Sequence, residues 1–307
     1  MRDKKAKIRK IVLLLQDKKM RMMGKRGKNS CFIGLCTVLA TAFLTTACVR
    51  QYADRGNATP ATVLSNMLEK KTTGHVAPDD TGLPAPWASG KDELVLERMG
   101  YTVSYNKEWK IPNWVAWKLT AGRLAGKARR TNEFLPDPDV PGRYSAETGD
   151  YATSRYDRGH MAPAGDMKWS QDAMNESFYL SNICPQASNL NQGDWRELEE
   201  RCRVWAKKMG DLYIVCGPVV EPDTWHKRVG RNKVTVPDGF FKVVLLLGER
   251  PCAVGFLYPN DDCDAPLSAY AVAVDSVEAV TGIDFFPRLD DEVEKRVEAI
   301  NAIGEFY

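Results

Sequence analysis

Residues 240–247 read Phe-Phe-Lys-Val-Val-Leu-Leu-Leu, with a single polar side chain among eight. A strand with one wet face alternates apolar and polar residues, whereas an unbroken apolar run of strand length needs cover on both faces. This run therefore calls for a layered fold with packing above and below a central strand. Five other segments have strand character: 101–105, 114–119, 212–216, 253–257 and 271–274. Helical spacing is clearest over 195–209, where Trp195, Leu198, Cys202, Trp205 and Met209 recur at three- and four-residue steps. Shorter helices fit 166–175, 277–281 and 291–303. The elements follow no βαβ rhythm, so the expected class is α+β, with a largely antiparallel central sheet flanked by helices.

The 307-residue chain does not read as one uniform domain. Residues 1–30 hold twelve Lys and Arg against Asp3 and Asp17, and residues 31–47 are uncharged and mostly apolar. A basic stretch, a short apolar run and small residues after it read as an export signal. The end of that run, Leu44 to Cys48, resembles a bacterial lipoprotein signal, in which the cysteine receives lipid. A cleaved secretory signal and an uncleaved anchor are the alternatives. Residues beyond it are rich in Gly, Pro, Thr and Asp and suit a tether. The expected organisation is a leader at 1–48, a linker at 49–94 and a folded domain at 95–307. On this reading the protein is exported, either anchored in the cell envelope or secreted, and touches membrane only through its N-terminus.

Once the leader is set aside, 31 basic residues face 38 acidic ones. A protein that holds nucleic acid by bulk charge is basic throughout, so any phosphate-binding charge here must be local to a site. Cys184, Cys202, Cys216, Cys252 and Cys263 lie outside the leader and linker. With no C-x-x-C and only three histidines, a tetrahedral zinc site is poorly supported. Cys252 and Cys263 are placed to flank a hairpin and bridge, leaving an odd number of thiols.

The chemistry concentrates at 156–167, where Asp157, Arg158, Gly159 and His160 are consecutive and Pro163 and Gly165 follow. A neutral imidazole takes a proton from water readily near neutral pH, because its reference pKa of ~6.5 lies close by. Taken alone, His160 reads equally well as a core histidine satisfied by a carbonyl. Downstream of Asn182, Asn191 offers a neutral amide oxygen, the ligand type that hard cations such as Mg²⁺ accept. Asn191 alone also fits a turn or a helix start. Glu199 and Arg203 stand four apart on one edge of the apolar stripe, where they line a cleft or form a surface ion pair.

Taken together, these residues resemble the DNA/RNA non-specific endonuclease family, whose signature is D-R-G-H, then an Asn, then N-x7-E beginning some thirty residues on. Here it stands as Asp157–His160, Asn182, and Asn191 with Glu199. The resemblance covers roughly residues 95–300. It implies a ββα-metal nuclease fold and hydrolysis of phosphodiester bonds in DNA and RNA with little sequence or sugar specificity. It implies His160 as general base, Asn191 as direct Mg²⁺ ligand (Mn²⁺ substituting), and Glu199 as the residue that orients metal-bound water. Arg158 and Arg203 match the arginines at the scissile phosphate. An upstream arginine matches Arg130, with Arg129 adjacent. Asp157 and Asn182 join Arg158 and Arg203 in the expected substrate-binding set. Two other readings stand beside this one: a surface lipoprotein that binds nucleic acid without cutting it, and a narrower phosphodiesterase. No oligomeric state is legible.

Overall fold

The computed structural model describes residue 82 and residues 93–152, 154–221, 225–263 and 265–307. The export leader, the lipid-attachment cysteine and nearly all of the tether lie outside the described residues. Seven strands form one sheet in the order β1-β2-β3-β6-β9-β10-β11, and every neighbouring pair is antiparallel. They are β1 Glu93–Glu97, β2 Thr102–Asn106, β3 Ile111–Leu119, β6 Leu212–Val219, β9 Gly239–Leu246, β10 Cys252–Pro259 and β11 Ala271–Val272. Two further strands, β4 Tyr156–His160 and β5 Ile183–Ala187, form a separate antiparallel pair. A small ribbon joins β7 Arg228–Val229 to β8 Val234–Thr235.

The apolar run at 240–247 becomes β9, paired with β6 on one side and β10 on the other and buried along its whole length. Its side chains alternate between two cores, as a strand's must. Phe240, Val244 and Leu246 enter the larger core, while Phe241, Val243 and Leu245 enter the smaller. Helices cover both faces. On the larger core lies α3, Asp194–Met209, whose Trp195, Leu198, Cys202 and Trp205 are all buried. On the smaller lie α4, Val274–Thr281, and α5, Asp291–Glu298, which bury Val274, Val277 and Val297. Burying a side chain of this size stabilises by roughly 1.5–3 kcal/mol. The α+β expectation is met.

Several expected boundaries shift for local reasons. The predicted helix at 166–175 splits into a 3-10 turn at Ala164–Asp166 and α1, Gln171–Glu176. Ser170 restarts the helix by accepting from the Ala173 N–H at 3.4 Å. The strand at 271–274 stops early because Val274 opens α4. The helix at 291–303 ends at Glu298, and a 3-10 turn follows at Ile303–Phe306. The Cys252–Cys263 bridge does not form, and all five cysteines of the domain are free thiols. Cys252 opens β10 and Cys263 lies beyond its far end, so the strand itself separates them. At ~3.3 Å per residue that span far exceeds the ~7 Å a disulfide tolerates between Cα atoms.

Candidate active site

The segment Tyr156–His160 is poor in β-formers, and its strand character comes from partnership. His160 stands opposite Ile183, Gly159 opposite Cys184 and Arg158 opposite Pro185. A Cβ at position 159 would run into the buried side chain of Gln186, so only glycine lets the two strands close here. After β5 the chain enters a short helix, α2, Ser188–Gln192, then turns at Gly193 into α3. Strand, strand and helices thus bring His160, Asn191 and Glu199 around one pocket of about 360 Å³. Its wall also holds Phe134, Gln192 and Glu200, and four arginines: Arg130, Arg158, Arg196 and Arg203. The local positive charge that an acidic domain requires is therefore present.

The His160 ring meets Phe178 edge-on at 4.9 Å and Phe134 at 5.3 Å between centroids. Its Nε2 is buried and has no hydrogen-bond partner. The His160 carbonyl accepts from Trp195 Nε1 at 3.3 Å, tying β4 to α3. Burial pushes the imidazole pKa down to about 3, with the positive charges of Arg130 and Arg158 adding to the effect. The ring is consequently neutral throughout the physiological range. His160 lines the pocket, and no carbonyl satisfies its Nε2.

Asn191 is held by Asp157. Asp157 Oδ2 accepts from Asn191 Nδ2 at 2.9 Å and from Gln192 Nε2 at 2.8 Å, and its Oδ1 accepts from Ser188 Oγ at 2.7 Å. Burial alone would raise the Asp157 pKa, but those three bonds and Arg158 outweigh it and hold the carboxyl below its usual range. The structure sets Asp157 against α2 rather than in the pocket. Its oxygens are engaged with α2, and it is not part of the pocket wall. Asn182 also lies outside the pocket wall. It is fully buried, its Nδ2 donates to the carbonyls of Ala162 (2.9 Å) and Ser177 (2.8 Å), and its Oδ1 accepts from the Ala162 N–H at 2.9 Å. Such an amide splints the loop after β4.

Burial pushes Glu199 up to about 7, opposed chiefly by the attraction of Lys242. Arg203 lies 4.0 Å from Glu199 but bonds Asp166 more closely, Nη1 donating to Oδ1 at 3.0 Å. Asp166 Oδ2 also accepts from Trp117 Nε1 at 3.1 Å. Arg158 lies over the Phe134 ring at 4.2 Å and Arg130 over Phe178 at 5.1 Å. Arg130 reaches the pocket and the adjacent Arg129 does not. Three participants were missed in the sequence. Arg196 falls on the pocket face of α3 with Glu199, Glu200 and Arg203, a helical spacing that was legible. Asp166 carried no such signal. Lys242 did carry one, as the single charge in the apolar run that becomes β9. It is 1% exposed, with its ammonium 4.3 Å from the Trp195 ring centroid and 5.4 Å from that of Trp117.

Comparison with known proteins agrees with this geometry. Residues 85–292 match the family described as DNA/RNA non-specific endonuclease. Nuclease C1 of Cunninghamella echinulata var. echinulata is 39% identical over 210 residues, spanning 64% of this chain and 83% of that protein. Mitochondrial nuclease EXOG of Mus musculus is 36% identical over 228 residues, 65% of this chain and 62% of that protein. Human mitochondrial endonuclease G is 34% identical over 205 residues, 62% of this chain and 69% of that protein. The chain thus spans less than two thirds of the EXOG length. A solved complex of EndoG with EndoGI superposes with a TM-score of 0.60 at 31% identity, covering 64% of this chain and 86% of that one. The fold is accordingly the ββα-metal nuclease fold. These relatives overturn the expectation of an exported or lipid-anchored protein, since EXOG, endonuclease G and nuclease 1 of Schizosaccharomyces pombe are mitochondrial nucleases. On the match across most of its length, the chain belongs to the DNA/RNA non-specific endonuclease family.

Proposed function

We propose that this protein is a divalent-metal-dependent endonuclease that hydrolyses phosphodiester bonds in DNA and RNA with little sequence or sugar preference. The observation that carries this reading is the convergence of a neutral imidazole, an oriented amide and four arginines on one pocket. The residues present fit a hard cation. The Asn191 Nδ2 is committed to Asp157, its Oδ1 accepts no hydrogen bond among the described residues, and Glu199 supplies a carboxylate on the same wall. Asn191 would hold the ion and Glu199 would orient its water. When bound, Mg²⁺, or Mn²⁺ in its place, withdraws charge from a phosphate oxygen.

The remaining work belongs to the chain's own side chains. Arg158, Arg130 and Arg203 hold the phosphate and meet the negative charge that grows on it. His160 removes a proton from the attacking water. A base depressed to about 3 is weak in the free protein. The arriving phosphate offsets the charges of Arg130 and Arg158 and raises the imidazole pKa at the moment it is needed. The four arginines in the pocket suit the phosphates of the polymer, which fits poor discrimination between bases. We further take 95–307 as the catalytic domain, behind a leader at 1–48 and a linker at 49–94.

The test is digestion of circular and linear DNA, of RNA and of small phosphodiesters, with Mg²⁺ and with EDTA. Cutting of circular DNA and RNA that EDTA abolishes and Mg²⁺ or Mn²⁺ restores is the expected result. Full activity after metal stripping would remove the role of Asn191, and cleavage of small diesters alone would replace the assignment with a narrower phosphodiesterase. His160→Ala should lower kcat by about 100- to 10,000-fold with folding intact.

A further inference from the structure

On the opposite face of the sheet from the pocket, α4 and α5 pack side by side and bring three carboxylates together. Asp275 and Glu278, one turn apart on α4, and Glu298, at the end of α5, each place an oxygen within 4.8 Å of the others. Acidic side chains often gather on surfaces without consequence, but this group differs in one respect. Glu298 is only 6% exposed, and its Oε1 is buried with no hydrogen-bond partner. Among the described residues, no lysine, arginine or histidine forms an ion pair with any of the three. Glu278 keeps one contact, its Oε1 accepting from the Phe285 N–H at 2.9 Å. That contact depends on the turn at Gly282, where φ is +71° and the N–H caps Glu278 O at 2.7 Å.

A buried carboxylate with no donor is costly unless a cation or a proton compensates it. Burial raises Glu298 to about 9 and Glu278 to about 7, and the neighbouring carboxylates, Asp284 and Glu294 included, push both in the same direction. We propose that Asp275, Glu278 and Glu298 form a second divalent-cation site, structural rather than catalytic, that clamps α4 to α5. The chemistry favours Ca²⁺. An all-carboxylate set from two helices supplies irregularly placed hard oxygens, which Ca²⁺ accepts at 2.3–2.6 Å with six to eight ligands, whereas Mg²⁺ demands near-ideal octahedral geometry. This inference does not depend on the proposed nuclease activity, because the two sites share no residue.

The experiment measures Ca²⁺ binding by isothermal titration and the thermal midpoint with and without Ca²⁺. It uses the full chain, in wild type and in Asn191→Ala, Glu298→Gln and Asp275→Asn. Wild type and Asn191→Ala should both gain thermal stability from Ca²⁺, with one ion bound in Asn191→Ala. Glu298→Gln and the milder, partly exposed Asp275→Asn should bind at least tenfold more weakly and lose the thermal response, while melting without Ca²⁺ no earlier than wild type. A thermal response absent from wild type would overturn the site, as would one that survives intact in both Glu298→Gln and Asp275→Asn. A Ca²⁺ response lost only in Asn191→Ala would assign the ion to the nuclease pocket and equally overturn the proposal.

Discussion

At the scale of single residues, the site is governed by charges buried against cost. His160 is neutral because burial and two arginines deny it a proton. Removing one arginine should therefore raise its pKa. In Arg158→Gln, NMR titration of the imidazole should place the midpoint above the wild-type value of about 3; an unchanged midpoint would mean the arginine charge does not reach the ring. Lys242 acts on Glu199 in the opposite sense. Its ammonium lowers a carboxyl that burial has raised to about 7. With Lys242→Met the Glu199 carboxyl should hold its proton to higher pH, so the acid limb of the kcat/KM profile should move upward. A role in packing alone would reduce stability and leave that midpoint where it was. Lys242 was visible as the odd residue in its run, yet sequence could not say what it faces. That depends on which face of β9 looks toward α3, and strand register settles it only once β6 and β10 are in place.

At the scale of elements, the pair β4–β5 and helices α2 and α3 form the frame that points the chemistry inward. The regular parts of this frame were legible. The apolar stripe of α3 announced a buried helix, and the run at 240–247 announced a covered strand. The strand nature of 156–160 was not, because Asp, Arg, Gly and His are weak β-formers and their pairing partner lies at 183–187. For the same reason the bonds that tie Asp157 to α2 and Asn182 to the loop after β4 were not legible. Asn182→Ala tests whether that side chain serves the frame or the substrate. It would leave the Ala162 N–H and O and the Ser177 O without their partner, at about 1–3 kcal/mol for each buried group orphaned. The expected outcome is a marked fall in the thermal midpoint with KM unchanged at a temperature where the variant is folded. A raised KM with normal stability would return Asn182 to the substrate. Gly159→Ala should likewise destabilise, since the new methyl meets Gln186 in the closed pair.

At the scale of the whole molecule, the decisive fact is that an acidic domain carries a basic pocket. Beyond residue 30 the chain holds 31 basic and 38 acidic residues, and yet four arginines line one cavity of about 360 Å³. A polyanion held by this pocket alone would release few counterions when it docks. The dependence of binding on salt counts them. For duplex DNA the slope of log K against log salt is about −0.9 per phosphate neutralised. Four pocket arginines therefore predict a slope of about −3 to −4, far shallower than a protein gripping DNA along a basic face would give. Measured with His160→Ala, to prevent cleavage, the slope should lose about one unit in Arg158→Gln. It should not change in Arg129→Gln, because Arg129 stands beside the pocket arginine in sequence but outside the pocket wall. A steep slope, or equal losses at both positions, would mean that the nucleic acid is held by a surface larger than this pocket.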